Sequence, residues 1–188
     1  MDRFVRILRA LLLALAGLAA LALLGGLAFY FAQPSSFAFS RSIVVPAAPA
    51  SVHAHLDDLR AFEAWQPWPP TDPAHPPRVT FSEPASGVGA WIDRRDAAGE
   101  GARTTIVSIT DARVEMQNET SGGFAQGHST QSFDLRAVPS GTEVTWTFGG
   151  ELSGLARVLW PFVGLEGRVG PRMDEALRRL SAASAAGG

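Results

Sequence analysis

The sequence predicts an α+β domain, an antiparallel sheet of about seven strands curved around a C-terminal helix, preceded by an N-terminal transmembrane helix. Three observations carry that reading. Residues 1–32 contain 25 hydrophobic residues and residues 33–188 contain 62, so an average of 46% joins a membrane-like segment to a domain of ordinary composition. Between residues 79 and 149 six segments alternate with period two, separated by turn residues at hairpin spacing. Near the end, Leu165, Val169, Met173, Leu177 and Leu180 form an apolar stripe of helical period.

Residues 10–32 are almost continuously apolar, and no charge occurs between residues 10 and 40. A helix rising about 1.5 Å per residue crosses a hydrocarbon core of about 30 Å with such a run. Arg3, Arg6 and Arg9 precede it, so the positive-inside rule places residues 1–9 in the cytoplasm and the domain on the extracytoplasmic (periplasmic or outer) side. Phe29, Tyr30 and Phe31 then fall at the outer interface, where aromatic rings are favoured. The competing reading is a cleaved signal peptide, whose apolar region runs about 7–15 residues and ends at a small-x-small site. This run is longer and no clear site follows it, which favours an uncleaved anchor. The small residues Ala16, Ala20, Gly25 and Gly26 read as composition rather than as a helix-pairing face.

Residues 33–38 form a short linker, and residues 39–180 the domain. Residues 40–45 read as a first strand, stopped by Pro46 and Pro49. Val52, Leu56 and Leu59 mark a short helix over 50–59, and 61–65 a second. Residues 66–77 hold six prolines and form no regular element. Strands follow over 79–83, 90–95, 104–109, 113–120, 129–138 and 143–149. Pro161 and Pro171 predict a kink or break in the terminal helical region, and residues 181–188 read as a disordered tail. The strands form one meander with one face to bury, and the terminal helix is the large apolar element available to cover it. A curved sheet gripping a helix leaves space for a cavity.

All 16 basic residues are Arg, so lysine Schiff-base chemistry and a phosphate-loop lysine are excluded. The absence of Cys excludes disulfides, thiolate metal sites and Cys nucleophiles. Beyond residue 32 there are 13 Arg against 17 acidic residues, a formal charge of −4 with no basic run, which argues against nucleic-acid binding.

The element order and several motifs resemble the START/Bet v 1-like (SRPBCC) superfamily, in particular its polyketide cyclase/dehydrase and lipid transport-like branch. The matching stretches are Arg41-Ser-Ile-Val-Val45, the helix with Val52 and Asp57-Asp-Leu59, Trp65-Gln-Pro-Trp68, Ser86-Gly-Val-Gly-Ala90, Gly141-Thr-Glu-Val-Thr-Trp146, and Val169-Gly170 with the stretch from Leu177 to Leu180. The resemblance implies a helix-grip fold with a hydrophobic cavity for a lipid-like or polycyclic ligand. It does not imply catalysis. Asp93-Arg94-Arg95, where the family often carries an aromatic, and Pro171 depart from the family pattern.

Candidate cavity residues follow from position. Trp65 and Trp68 stand either at the cavity mouth or as a plug beneath the core. Trp91, Val114, Met116, Trp146 and Phe148 alternate with polar neighbours and read as inward, toward core or cavity. Val169 and Met173 present the terminal helix to the sheet. Phe124 lies in a Gly-rich loop, as a lid or a tucked ring, and His128 is within reach of the cavity at a strand start. His53 and His55 are two apart on a helix and lack i,i+4 metal geometry, and Ser residues lack a nucleophile-elbow context. The sequon Asn118-Glu-Thr120 sits within a strand and reads as chance. No metal, cofactor or catalytic constellation is expected, and the oligomeric state is not legible.

The expected function is a membrane-anchored domain binding a hydrophobic small molecule. One alternative is a cyclase or dehydratase using the same cavity, which needs at least one buried polar group. His128, Arg95 or Glu115 pointing into the pocket favours it, and all three facing solvent counts against it. A second is a structural or interaction module with a collapsed interior.

Overall fold

A computed structural model describes residues 2–66, 75–122 and 127–186. The chain divides into two compact units, one of residues 1–35 with 152–163 and one of residues 36–151 with 164–188.

The first unit contains α1 (Asp2–Ala32) and α4 (Gly154–Val163). Among the described residues, α1 is the one helix long and apolar enough to cross a membrane. Its side chains are exposed along almost its whole length. Arg157 of α4 donates to the backbone carbonyls of Phe31 and Gln33, and its guanidinium lies 4.9 Å over the Tyr30 ring.

The second unit is a seven-stranded antiparallel sheet, with α2 (Pro49–Asp57), α3 (Leu59–Trp65) and α5 (Leu165–Ala186). Its strands are β1 (Ser36–Val45), β2 (Arg78–Phe81), β3 (Trp91–Arg95), β4 (Gly101–Thr110), β5 (Arg113–Ser121), β6 (Gly127–Val138) and β7 (Gly141–Glu151). Strand order is β1-β7-β6-β5-β4-β3-β2, a meander whose last strand pairs with its first. The register sets the faces. Phe39 opposes Phe148 and Arg41 opposes Trp146 across β1 and β7, and Phe133 opposes both Trp146 and Val114 from β6. These residues share the inner face, and their neighbours in sequence share the outer one.

The buried core lies on the inner face at the end carrying α2 and α3, where Val52, Leu56, Leu59 and Phe62 meet Met173 and Leu177 of α5. Phe62 is fully buried, worth about 1.5–3 kcal/mol by transfer from water. Phe62, Trp65, Phe133 and Trp146 pack with centroids 5.0–6.3 Å apart, mostly edge to face. The chain turns from α2 into α3 at Asp58, whose carboxylate accepts from the backbone N–H of Arg60 and Ala61. Asp57 accepts from Gly87 N–H at 2.9 Å, so the Ser86-Gly-Val-Gly-Ala90 stretch docks on the junction of the two helices.

The terminal helical region breaks at Gly164, with φ of +58°, rather than at either proline. Pro161 lies inside α4 and Pro171 inside α5, and the latter helix continues to Ala186 through most of the segment expected to be a loose tail.

Candidate functional site

A small cavity of about 90 Å³ lies between the inner face of the sheet and α5. Its apolar lining includes Trp146, Phe148 and Val169, and its polar lining includes Gln66, Arg94, Thr104, Asn118, Ser129 and Gln131. The inner face is therefore graded. Ile106, Met116 and Phe133 at one end are core, and two residues further along β4, β5 and β6 stand Thr104, Asn118 and Gln131.

These polar groups are organised by one another. Asn118 Oδ1 accepts from Thr104 Oγ1 at 2.8 Å and from Gln131 Nε2 at 3.3 Å, while Asn118 Nδ2 donates to Ser129 Oγ at 3.4 Å. Arg94 is buried, and its Nε donates to Glu63 Oε2 at 2.9 Å. Its Nη2 donates to the same oxygen and reaches Gln66 Oε1 at 3.5 Å. The pair ties α3 to β3 and brings a compensated charge to the cavity wall. Trp146 is 2% exposed, and among the described residues its indole N–H is a buried donor without an acceptor. Leaving such a donor unmet costs about 1–3 kcal/mol.

Of the residues expected from sequence, Trp146, Phe148 and Val169 meet at this cavity. Val114, Met116 and Met173 face inward but are solid core, fully buried. Trp65 is the plug and not the mouth: it is 2% exposed, packs on Phe62 and Phe133, and donates its indole N–H to His55 O at 3.0 Å. Trp91 does not face inward. Ile92 and Arg94 take the inner positions of β3, and Trp91 lies on the outer face with Arg103 stacked 4.4 Å over its ring. His128 is likewise on the outer face and exposed, because its neighbours Ser129 and Gln131 take the inner positions. Trp68 and Phe124 lie outside the described residues.

Arg95 and Glu115, named as potential polar groups of an enzyme, also occupy outer positions. Arg95 pairs with Asp93, and Glu115 with Arg113. Hydrogen bonds to Glu115 and Asp134 raise the Arg113 guanidinium above its ordinary range. Arg113, Glu115, His128 and Thr147 contribute to a wider hollow of about 700 Å³, lined largely by outer-face residues of the sheet.

The alternation that singles out hydrophobic residues missed the polar half of the cavity. Its signal was present: Asp93-Arg94-Arg95 puts an arginine in phase with Ile92, and Asn118 is in phase with Met116. The latter also disposes of the glycosylation sequon, since the Asn118 amide is bonded inside the sheet–helix space.

A curved antiparallel sheet gripping a C-terminal helix, with a cavity between them, defines the class as helix-grip. A family model described as polyketide cyclase / dehydrase and lipid transport matches residues 36–185, and the chain belongs to that family. Solved structures show the same fold. Ara h 8.0201 is similar at 14% identity, covering 80% of this chain and 99% of that one, with a TM-score of 0.57. Mll3558 from Rhizobium loti matches at 20% identity, with 79% and 96% covered and a TM-score of 0.55. The di-domain ARO/CYC StfQ of the steffimycin biosynthetic pathway matches at 15% identity and a TM-score of 0.57, covering 79% of this chain and 50% of its own. No curated protein matches the sequence significantly.

Proposed function

We propose that the chain is a membrane-anchored binding protein that takes one hydrophobic molecule, lipid-like or polycyclic, with an acceptor oxygen, into the cavity between the sheet and α5. The observation that carries this reading is the cavity itself, where Trp146, Phe148 and Val169 adjoin a polar cluster, and where Trp146 keeps a buried indole N–H without an acceptor among the described residues. An apolar ligand body gains about 25 cal/mol per Å² removed from water, so 300 Å² contributes roughly 7 kcal/mol before the costs of association. A ligand oxygen accepting from Trp146 supplies orientation.

The cavity holds about 90 Å³, while drug-sized ligand sites run about 300–1,000 Å³. Uptake therefore enlarges the cavity. The element to yield is the first half of α5, which carries Val169 and is held to β1 by Arg41 pairing with Glu166 and Asp174. In this reading α1 spans the membrane with Arg3, Arg6 and Arg9 on the cytoplasmic side, and keeps the cavity near membrane-dissolved ligands.

Native mass spectrometry of the full chain, extracted with its surrounding lipid in nanodiscs, tests the reading. The expected result is a single small-molecule adduct that is lost in Ser129→Phe, whose ring fills the cavity. A chain that never carries an adduct and gives the same spectrum as Ser129→Phe contradicts it. A cyclase or dehydratase reading draws on Arg94 in the cavity wall and its partly exposed partner Glu63. It predicts loss of water from a poly-β-ketone thioester, dependent on Glu63.

A further inference from the structure

We infer that α4 is a second membrane element, an interfacial helix that lies in the headgroup layer beside the outer end of α1. This rests on the reading of α1 as the membrane span, and its occupant is a lipid surface.

The sequence of α4 is Gly-Leu-Ala-Arg-Val-Leu-Trp-Pro-Phe-Val, with one charge and no acidic residue. Leu155, Leu159 and Phe162 recur at i, i+4 and i+7 and so form one stripe. They are 67%, 44% and 77% exposed, which in a soluble helix leaves three large apolar side chains in water. At about 100° per residue, Arg157 projects from the side of the helix opposite the stripe.

Arg157 fixes the depth of α4. The last carbonyls of a helix have no partner within it, and the C-terminal end carries partial negative charge. At the end of α1, Arg157 meets both needs, donating to Gln33 O at 2.9 Å and to Phe31 O at 3.3 Å, and stacking on Tyr30. Leu152 N–H also donates to Ser35 O at 2.8 Å, so the chain enters α4 at the level where α1 ends. That level is the aromatic end of the span, Phe29 to Phe31, where a membrane gives way to water.

Length settles how a lipid-facing α4 lies. Ten residues make a helix of about 15 Å, half of what a span needs, so it lies along the interface. Trp160 within it is a residue type favoured at that depth. Mounted on α1 and inserted by its stripe, α4 gives the anchor a foot on the bilayer surface.

The absence of cysteine makes the test direct, because any introduced cysteine is unique. The full chain is reconstituted into vesicles of phosphatidylethanolamine and phosphatidylglycerol. Single variants Leu155→Cys, Leu159→Cys, Phe162→Cys, Leu18→Cys and Arg136→Cys are labelled with an environment-sensitive fluorophore. Quenching by lipids with a nitroxide at shallow or deep acyl positions is compared with quenching by aqueous iodide.

The expected pattern is deep-nitroxide quenching at 18, iodide quenching at 136, and shallow-nitroxide quenching at 155, 159 and 162 several-fold above that at 136. Deep quenching at 18 with iodide quenching at 155, 159 and 162 equal to that at 136 overturns the inference and leaves the span intact. Iodide quenching at 18 overturns the span and the inference together. Protection at the three α4 sites without lipid quenching, lost as lipid is added in excess, assigns the stripe to a second copy and also overturns it.

Discussion

Replacing Glu63 by glutamine removes the charge that compensates Arg94 while keeping the shape of the side chain. The Arg94 side chain is 10% exposed and that of Glu63 is 31% exposed. Breaking a fully buried pair costs about 3–5 kcal/mol, because the remaining charge stays desolvated. Solvent access at Glu63 lowers the expected loss to about 2–3 kcal/mol. At about 2–4 °C per kcal/mol for a domain of this size, Tm falls by roughly 4–12 °C. Glu63→Leu with Arg94→Met removes both charges and leaves apolar groups of similar length, so its cost is under about 1 kcal/mol. Differential scanning fluorimetry of the full chain in nanodiscs measures all three proteins. A double variant as unstable as Glu63→Gln, or Glu63→Gln unchanged from the parent, refutes the claim that the pair is buried and mutually compensated. The double variant further separates structure from function, since it stays folded while its cavity loses its charged end.

Three further outcomes follow from the same geometry. Arg41→Ala frees the first half of α5 from β1, and stopped-flow measurements should show faster ligand uptake with less than about 1 kcal/mol lost in stability, as expected of partly exposed ion pairs. Gly141 has φ of +133°, and an added Cβ would sit 2.1 Å from Val45 O, so Gly141→Ala should lower stability by about 2 kcal/mol or more in denaturant unfolding. Hydrogen bonds from Arg178 and then Arg179 hold the Glu175 carboxyl below its ordinary range. Its small contribution to stability is thus present above the unfolded-state value and lost as pH falls through the folded one. Carbon-detected NMR titration should show its midpoint rise when both arginines become alanine.

The architecture was legible because strand period and turn spacing are local properties, and the sheet order follows from a meander with short hairpins. The apolar core followed for the same reason: Val114, Met116 and Trp146 sit where alternation places them. Trp91 failed because β3 carries Trp91, Asp93 and Arg95 on one face and Ile92 and Arg94 on the other, so the largest apolar ring opposes the core. Arg103 stacked on that ring, which keeps it out of water, comes from another strand. The polar half of the cavity was hidden for a related reason. Thr104, Asn118 and Gln131 are polar residues in phase with the core, and only the bonds among three strands show them acting together. Likewise, Pro161 and Pro171 drew attention as helix breakers, while the actual break depended on the left-handed conformation of Gly164.

In the proposed complex the Trp146 indole N–H donates to an oxygen of the molecule that enters the cavity. Its ¹⁵N–¹H resonance in the full chain, held in nanodiscs and assigned by its loss in Trp146→Phe, reports on that bond directly. Titration with 2-naphthoate and with decanoate, aromatic and aliphatic carboxylates, is predicted to move this resonance downfield and saturably with at least one of them. Trp146→Phe should bind that probe about tenfold more weakly, as expected for about 1.4 kcal/mol from one hydrogen bond. A Trp146 resonance that stays fixed through both titrations, or equal affinity in Trp146→Phe, contradicts the account.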